Sequence, residues 1–355
     1  MRRLDGYIVR AILGPVAMVI VVVMVLSGLF LFINQQDDIG VGSYTAWDAI
    51  KYVLLNLPEQ AWALLPVATL IGSLLGLGSL ARGSEITVIR ATGISTWRIA
   101  GSALMAAAIL IVLEVALGEF IAPHLQLAAK QNKAFSKLTE VTFGSGSGAW
   151  VKDGNLIISA ARQSGELQFG GMMVFELSPD HRLRAIGHAD RATAGQSDGW
   201  MLGGYSESRF TPDRVLTRPL GQRMLQSRVS AEFLGLAVSN PSELELASLF
   251  RLISYYKSNS LDAGPYVFAF WSRIARTVGI AFAVLLAVPF VLGSLRSAGA
   301  GARTMVGMGL GIAFFLLQQL IESGTFVFDL NPAVLAWIPT ALLAALSLTL
   351  LARAK

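Results

Sequence analysis

Ala81-Arg82-Gly83-Ser84-Glu85-Ile86-Thr87-Val88-Ile89-Arg90-Ala91-Thr92-Gly93-Ile94-Ser95-Thr96-Trp97-Arg98 decides the fold class of this chain. It is short and arginine-rich, and apolar runs at 60–80 and 99–121 flank it. A helix crossing a bilayer needs about 20 predominantly apolar residues. Both runs meet that length, so the stretch is an interhelical loop at a membrane surface. Working outward, the same division repeats. Arg2, Arg3 and Arg10 open the chain, Arg296 and Arg303 sit in a later short loop, and Arg353 and Lys355 close it. The short connections that alternate with these carry only Lys51, and the one around Asp329 has no basic residue. Arginine and lysine gather on the cytoplasmic side of membrane proteins, so the alternation sets orientation as well as residence.

Six apolar runs are long enough to span: 8–33, 60–80, 99–121, 266–293, 304–323 and 334–352. The expected layout is a membrane α-helical protein with an inserted all-β domain. Spans 1–3 with their loops occupy 1–123, an outer domain occupies 124–262, and spans 4–6 occupy 263–355. Both termini then face the cytoplasm. The first run follows arginines as a signal peptide would. It is too long for one, and no small-x-small cleavage site follows, so it reads as a retained span. Composition agrees: of 355 residues 54% are hydrophobic and 14% charged, against about 25% charged in soluble domains. The net charge of +5 is spread over short inner loops, which gives no reason to expect a nucleic-acid partner. With no cysteine, the outer domain has neither disulfides nor thiolate metal sites.

The outer segment changes period. Ala149-Trp150-Val151-Lys152, then Asp153-Gly154, then Asn155-Leu156-Ile157-Ile158-Ser159 is a hairpin signal. Met172–Leu177 and Leu183–Ala189, joined through Ser178-Pro179-Asp180, form another. Trp200–Tyr205 and Val215–Leu220 read as further strands. Many short strands with frequent turns predict a sandwich or jelly roll. After Asn240-Pro241, Ser242 and Glu245 suggest a capping box for an amphipathic helix over about 242–256, with Leu246, Leu249, Phe250 and Ile253 as its stripe. Gly72 with Gly76, and Gly307 with Gly311, have the spacing that lets membrane helices approach closely. Glycine is also common in such helices for no special reason.

No phosphate-binding loop is present, and Gly144-Ser145-Gly146-Ser147-Gly148 reads as a linker. His124, His181 and His188 lack an accompanying carboxylate pattern, so neither a metal site nor catalytic residues are expected, and the chain is not read as an enzyme. In the inner loop, Ile86, Ile89 and Gly93 share one helical face, with Arg82 and Glu85 off it. Such a helix suits docking onto a soluble partner, or it is an ordinary polar helix at the membrane surface.

This loop, with Gly72-Ser73-Leu74-Leu75-Gly76-Leu77-Gly78 before it, resembles the lipopolysaccharide export permease family LptF/LptG. Asp5–Ile8, Trp150-x-Lys152-Asp153-Gly154-Asn155, Asp262-Ala263-Gly264 with Trp271-Ser272-Arg273, and Phe290–Arg296 extend the resemblance over nearly the whole chain. Gly42-Ser43-Tyr44 and Trp337-Ile338-Pro339 lean towards the G-type subunit. The resemblance implies six spans and a periplasmic β-jellyroll in a Gram-negative inner membrane. It implies as partners a sister permease of the F type (LptF), a dimer of the cytoplasmic ATPase LptB, the bridge proteins LptC and LptA, and lipopolysaccharide. ATP and Mg would be bound by the ATPase, and no cofactor by this chain.

By this resemblance Glu85 is the acidic residue of a coupling helix at about 82–95, with Arg82 and Arg90 beside it. Lys130, Lys133, Arg273, Arg276 and Lys51 are the candidates for lipid head-group binding, since basic residues suit an anionic, phosphorylated lipid. A charge within a span is costly and usually functional. Pairing with Glu119 or Glu322, or snorkelling, is the structural alternative for Arg273. Ile157, Val174 and Phe175 are expected as inward-facing residues on an acyl-chain path. The chain departs from the family where some members carry lysines, with Leu31, Asp37, Asp38 and Glu59 in their place. Two other readings stand beside the exporter subunit. An ion-coupled secondary transporter would need paired charges at the bilayer midplane, where Glu114 is the plausible acid. A non-transporting anchor would leave Glu85 and Arg273 without a task.

Overall fold

The computed structural model describes residues 2–41, 43–137, 149–153, 155–165, 168–178, 182–194, 199–211, 214–226, 240–259, 261–292, 300–324 and 331–353. The chain forms two compact units. The first comprises Met1–Ile39, Ala46–Ala129 and Asp262–Lys355, and the second Gly40–Thr45 and Lys130–Leu261. The molecule is thus a helical membrane protein carrying an inserted β unit.

The helical unit contains α1 (Arg2–Ile33), α2 (Ala46–Arg82), α3 (Glu85–Ala91) and α4 (Thr96–Val115). A π-helical turn over Ala116–Ile121 joins α4 to α5 (Ala122–Lys137). Among the described residues, five helical segments are long and apolar enough to cross a membrane: Arg3–Asp38, Ala46–Arg82, Thr96–Lys130, Gly264–Leu292 and Pro332–Arg353. The expected run at 304–323 lies in a helix, Ala300–Gly324, whose apolar stretch is the shorter Met308–Ile321.

Bulky aliphatic residues at helical spacing build the core. Ile8, Ile12 and Val16 of α1 meet Leu70, Leu74 and Leu77 of α2, Ile99 and Leu110 of α4, and Ile280, Val284 and Leu286 of Gly264–Leu292. The Gly72 and Gly76 pair marks where α1 crosses α2. A Cβ on Gly72 would lie 2.5 Å from the Val16 Cα, and one on Gly76 would lie 2.9 Å from the Ala11 carbonyl carbon. Those neighbours are backbone, so only glycine permits this separation. Gly311 is similarly close to Val67, while the surroundings of Gly307 lie outside the described residues. Ser95 caps α4, its hydroxyl accepting from the Arg98 amide at 3.3 Å.

The inserted unit holds β1 (Ala149–Asp153), β2 (Leu156–Gly165), β3 (Gln168–Leu177), β4 (Leu183–Ala194), β5 (Gly199–Phe210) and β6 (Val215–Gln226). They form one antiparallel sheet in chain order, β1-β2-β3-β4-β5-β6. Asp153 pairs with Leu156 at the end of the β1–β2 ladder, and the Ser178 amide donates to the Arg182 carbonyl at 2.8 Å between β3 and β4. One face packs Ile158, Met172, Val174, Trp200, Leu202, Tyr205 and Leu225.

The trailing helix starts later than the capping box suggests. Asn240 caps a 3₁₀ turn, Pro241–Glu243, by accepting from the Ser242 amide, and α6 then runs Leu246–Ser258. Its buried stripe is Leu249 and Leu252, whereas Phe250 is exposed. The expectation of a helix starting at Ser242 is corrected accordingly. The 3₁₀ turn uses up the first residues of the expected helix and leaves Glu245 to begin the next one. The remaining helices are α7 (Gly264–Leu292), α8 (Ala300–Gly324) and α9 (Pro332–Arg353).

Candidate functional site

Two residue clusters in the helical unit stand out. The first lies at the arginine-rich loop. Seven residues form α3, ended by Thr92, whose hydroxyl donates to the Ile89 carbonyl, and by Gly93 at φ 88°. Ser84, at φ 61°, turns the chain from α2 into α3. Ile86 is buried and Ile89 packs on the core, leaving Glu85 and Val88 exposed. Arg82 is exposed at the end of α2 and Arg90 is half-buried. The Glu85 carboxylate accepts a hydrogen bond from the Tyr7 hydroxyl of α1. Close by, the Asp5 carboxylate accepts from Arg98 at 2.9 Å and from Ser102 at 2.6 Å. The first turns of α1 are therefore fastened to both α3 and α4.

The second cluster surrounds the π-helical turn. A π turn breaks the regular i→i−4 ladder and frees a carbonyl. The Gly118 carbonyl accepts from Arg273 at 3.0 Å, and Glu119 pairs with the same guanidinium at 2.7 Å. Arg273 is only 7% exposed. Its guanidinium lies 4.5 Å from the Trp62 ring centre, and that of Arg276, one turn on, lies 4.4 Å from it. Trp62 in turn presses on Gly118, where a Cβ would lie 2.7 Å from the Trp62 Cδ1. Glu114, 1% exposed, completes the group near Thr277, Arg276 and Arg273. Two acidic side chains and two arginines thus meet inside the spans, and the Trp62 ring contacts both guanidiniums. Cation–π contacts of this kind contribute about 2 kcal/mol when desolvated. Of the partners expected for Arg273, Glu119 is the one observed. The side chain of Glu322 lies outside the described residues.

The other head-group candidates are placed separately. Lys130 is exposed and ion-paired with Glu243. Lys133 is half-buried on the same helix. Lys51 is exposed, 3.9 Å from Asp48 and 6.0 Å from the Trp47 ring centre. Glu59 accepts from Gln126 at 2.6 Å and so joins α2 to α5.

In the sheet, Ile157, Val174 and Phe175 do not share a face. Ile157 pairs with Phe175 and Ile158 with Val174, and successive strand residues point oppositely. Val174 therefore lies in the packed core face, while Ile157 and Phe175 lie on the other. That core face also holds a polar group. Tyr205 receives a hydrogen bond from Arg223 at 3.0 Å, and Glu207 pairs with Arg209 at 2.9 Å and with Arg223. Burial pushes the Tyr205 phenol above its ordinary pKa, opposed by the nearby Arg223 cation. His188 lies 3.5 Å from Asp190, His181 falls outside the described residues, and among the described residues no group of three metal-ligating side chains forms.

Sequence reasoning missed Tyr7, Trp62 and Gly118. The available signal for Trp62 was two arginines three apart in one span facing acids in another, a combination that calls for a polarisable neighbour.

Residues 6–353 match the model of the family described as lipopolysaccharide export system permease LptF/LptG. The lipopolysaccharide export system permease protein LptG of Escherichia coli (strain K12) is 31% identical over 352 residues, covering 99% of this chain and 98% of the relative. That of Haemophilus influenzae (strain ATCC 51907 / DSM 11121 / KW20 / Rd) is 26% identical over 353 residues, covering 99% of each. A match running from the first turns of α1 to the end of α9, through both helical halves and the β unit, places this chain in the LptF/LptG family of lipopolysaccharide export permeases.

Proposed function

We propose that this chain is the G-type half of an ATP-driven exporter. It pairs with an F-type permease above a dimer of cytoplasmic ATPase subunits, which hold the ATP and Mg. It extracts lipopolysaccharide from the outer leaflet of a Gram-negative inner membrane. The lipid then passes along a periplasmic jellyroll to the LptC and LptA bridge, and both termini face the cytoplasm. The observation that carries this reading is α3: a two-turn helix in the arginine-rich loop, anchored by Ile86 and offering an exposed Glu85. A carboxylate there suits a charge-assisted bond to an arginine of the ATPase, with Arg82 and Arg90 as flanking contacts.

Lys130, Lys133, Lys51, Arg273 and Arg276 are the proposed head-group contacts. For Arg273 and Lys130 a lipid phosphate takes the place of a present partner, Glu119 in one case and Glu243 in the other. The acyl-chain path is assigned to the sheet face of Ile157 and Phe175, because the Val174 face is already filled by Trp200, Leu202 and Tyr205.

The test is release of lipopolysaccharide from proteoliposomes holding this chain, its sister permease and the ATPase. Release that requires ATP and is lost in Glu85→Ala supports the reading. Release without ATP or without the ATPase refutes it. A second reading, ion-coupled transport, draws on Glu114, which is buried beside Arg276 and Arg273. It predicts flux driven by an ion gradient with no ATPase present.

A further inference from the structure

We infer that Tyr7 is a positioning residue for Glu85: its hydroxyl fixes the docking carboxylate and links the docking helix directly to α1. The inference rests on the reading of α3 as the ATPase-docking element. Its starting point is the hydrogen bond from Tyr7 to Glu85, which joins positions 78 apart in sequence. The pair borders a cavity of about 400 Å³ lined by Leu4, Tyr7, Gly83, Glu85, Val88 and Ile89. This is the surface on which a docking side chain would settle.

The chemistry follows from the carboxylate. An ionised glutamate accepts at two oxygens, and Tyr7 engages Oε2. Oε1 is left to receive a cation from a partner. A glutamate side chain on an exposed helix end otherwise samples many rotamers, and freezing it during association costs affinity. The tyrosine lowers that cost by holding the side chain beforehand. Neither α3 nor its cap supplies the same restraint. The helix has seven residues and Ser84 makes no side-chain cap, and helices so short are marginal without tertiary support.

The second consequence is mechanical. Asp5, two residues before Tyr7, is clasped by Arg98 and Ser102 of α4. The inner end of α1 therefore carries one fastening to each neighbour of the loop. A displacement of Glu85 reaches α1 through Tyr7 without travelling along α2 or α4. Of the five candidate spans, α1 has the least of its apolar length buried within this chain.

The experiment uses the complex of this chain with its sister permease and ATPase. It compares wild type, Tyr7→Phe, Glu85→Gln, Glu85→Asp and the double variant Tyr7→Phe/Glu85→Gln. The readouts are the Kd of the ATPase for the purified permease pair and ATP-dependent release of lipopolysaccharide. Tyr7→Phe keeps the ring and its packing, and is expected to weaken docking about five- to tenfold, the scale of one hydrogen bond to a charged group near water. Glu85→Asp keeps the charge but withdraws it from Tyr7, and should match Tyr7→Phe. The double variant should equal Glu85→Gln alone, because Tyr7 acts only through the carboxylate. Wild-type docking in Tyr7→Phe overturns the inference while leaving the reading of α3 intact. So does a Tyr7→Phe loss that persists in full on the Glu85→Gln background, which would make Tyr7 a packing residue. Unchanged docking in Glu85→Gln overturns the reading of α3 itself and the inference with it.

Discussion

Replacing Arg273 by methionine tests the intramembrane cluster most directly. The substitution keeps an unbranched apolar stem and removes the guanidinium. It deletes the bond to the Gly118 carbonyl at 3.0 Å, the pair with Glu119 at 2.7 Å and one of the two cation contacts to Trp62. The larger effect is on what remains. Glu119, 18% exposed, keeps its charge but loses the guanidinium 2.7 Å away. Breaking a buried pair from one side costs about 3–5 kcal/mol. Partial exposure of Glu119 and the nearby Arg276 favour the lower end, about 3 kcal/mol or about 150-fold in the unfolding equilibrium. The assay is equilibrium unfolding in mixed detergent micelles, followed by loss of helical circular dichroism, without lipopolysaccharide. Glu119→Gln in the Arg273→Met background should recover about 2 kcal/mol, because the carboxylate that lost this guanidinium is neutralised. A single variant within about 0.5 kcal/mol of wild type, or strictly additive effects of the two substitutions, refutes the reasoning. Either result would mean that the pair is solvated and contributes little.

Three further outcomes follow from the packing. Gly76→Ala should destabilise the helical unit by about 1–3 kcal/mol, since its Cβ meets the backbone of Ala11 and Ile12, whereas Gly14→Ala, with open space around it, should be neutral or gain up to about 1 kcal/mol; equal effects in a thermal unfolding assay would contradict the close crossing of α1 and α2. Gly187→Ala should cost about 2 kcal/mol and speed proteolysis of the β unit, because the new methyl would lie 2.5 Å from Cε2 of the buried Tyr205 ring; an unchanged cleavage rate would show the ring moves freely. Glu243→Gln should leave stability within about 1 kcal/mol, as for other exposed pairs, yet raise affinity for lipopolysaccharide vesicles about two- to fivefold by releasing Lys130; unchanged affinity would remove Lys130 from the head-group contacts.

The helical membrane class was legible because apolar run length acts locally. Arg82, Arg90 and Arg98 mark a loop whatever the rest of the chain does. The dipeptide Asp153-Gly154 in the sequence likewise announced the β1–β2 hairpin. What stayed hidden depends on register or on long-range approach. Val174 and Phe175 both look like core residues until strand alternation separates them. The Tyr7–Glu85 bond and the Trp62 contact to Gly118 join residues far apart in sequence, with no periodicity to announce them. The start of α6 was misjudged because Asn240 and Glu245 compete with Ser242 as helix initiators, and the proline at 241 favours an extra 3₁₀ turn.

The π-helical turn at Ala116–Ile121 also sets angular phase. An α-helix advances about 100° per residue, and a π turn holds one residue more than an α turn of the same span. Side chains beyond it are thus rotated by about that angle from where an unbroken helix would carry them. Gln126 meets Glu59 on α2 at this phase. Deleting one residue within the turn would leave the helix continuous and its hydropathy almost unchanged, yet swing Gln126 off Glu59 and the Gly118 carbonyl off Arg273. In this span a one-residue indel acts as a rotation, so aligned positions on its two sides share a common face only when the extra residue is retained.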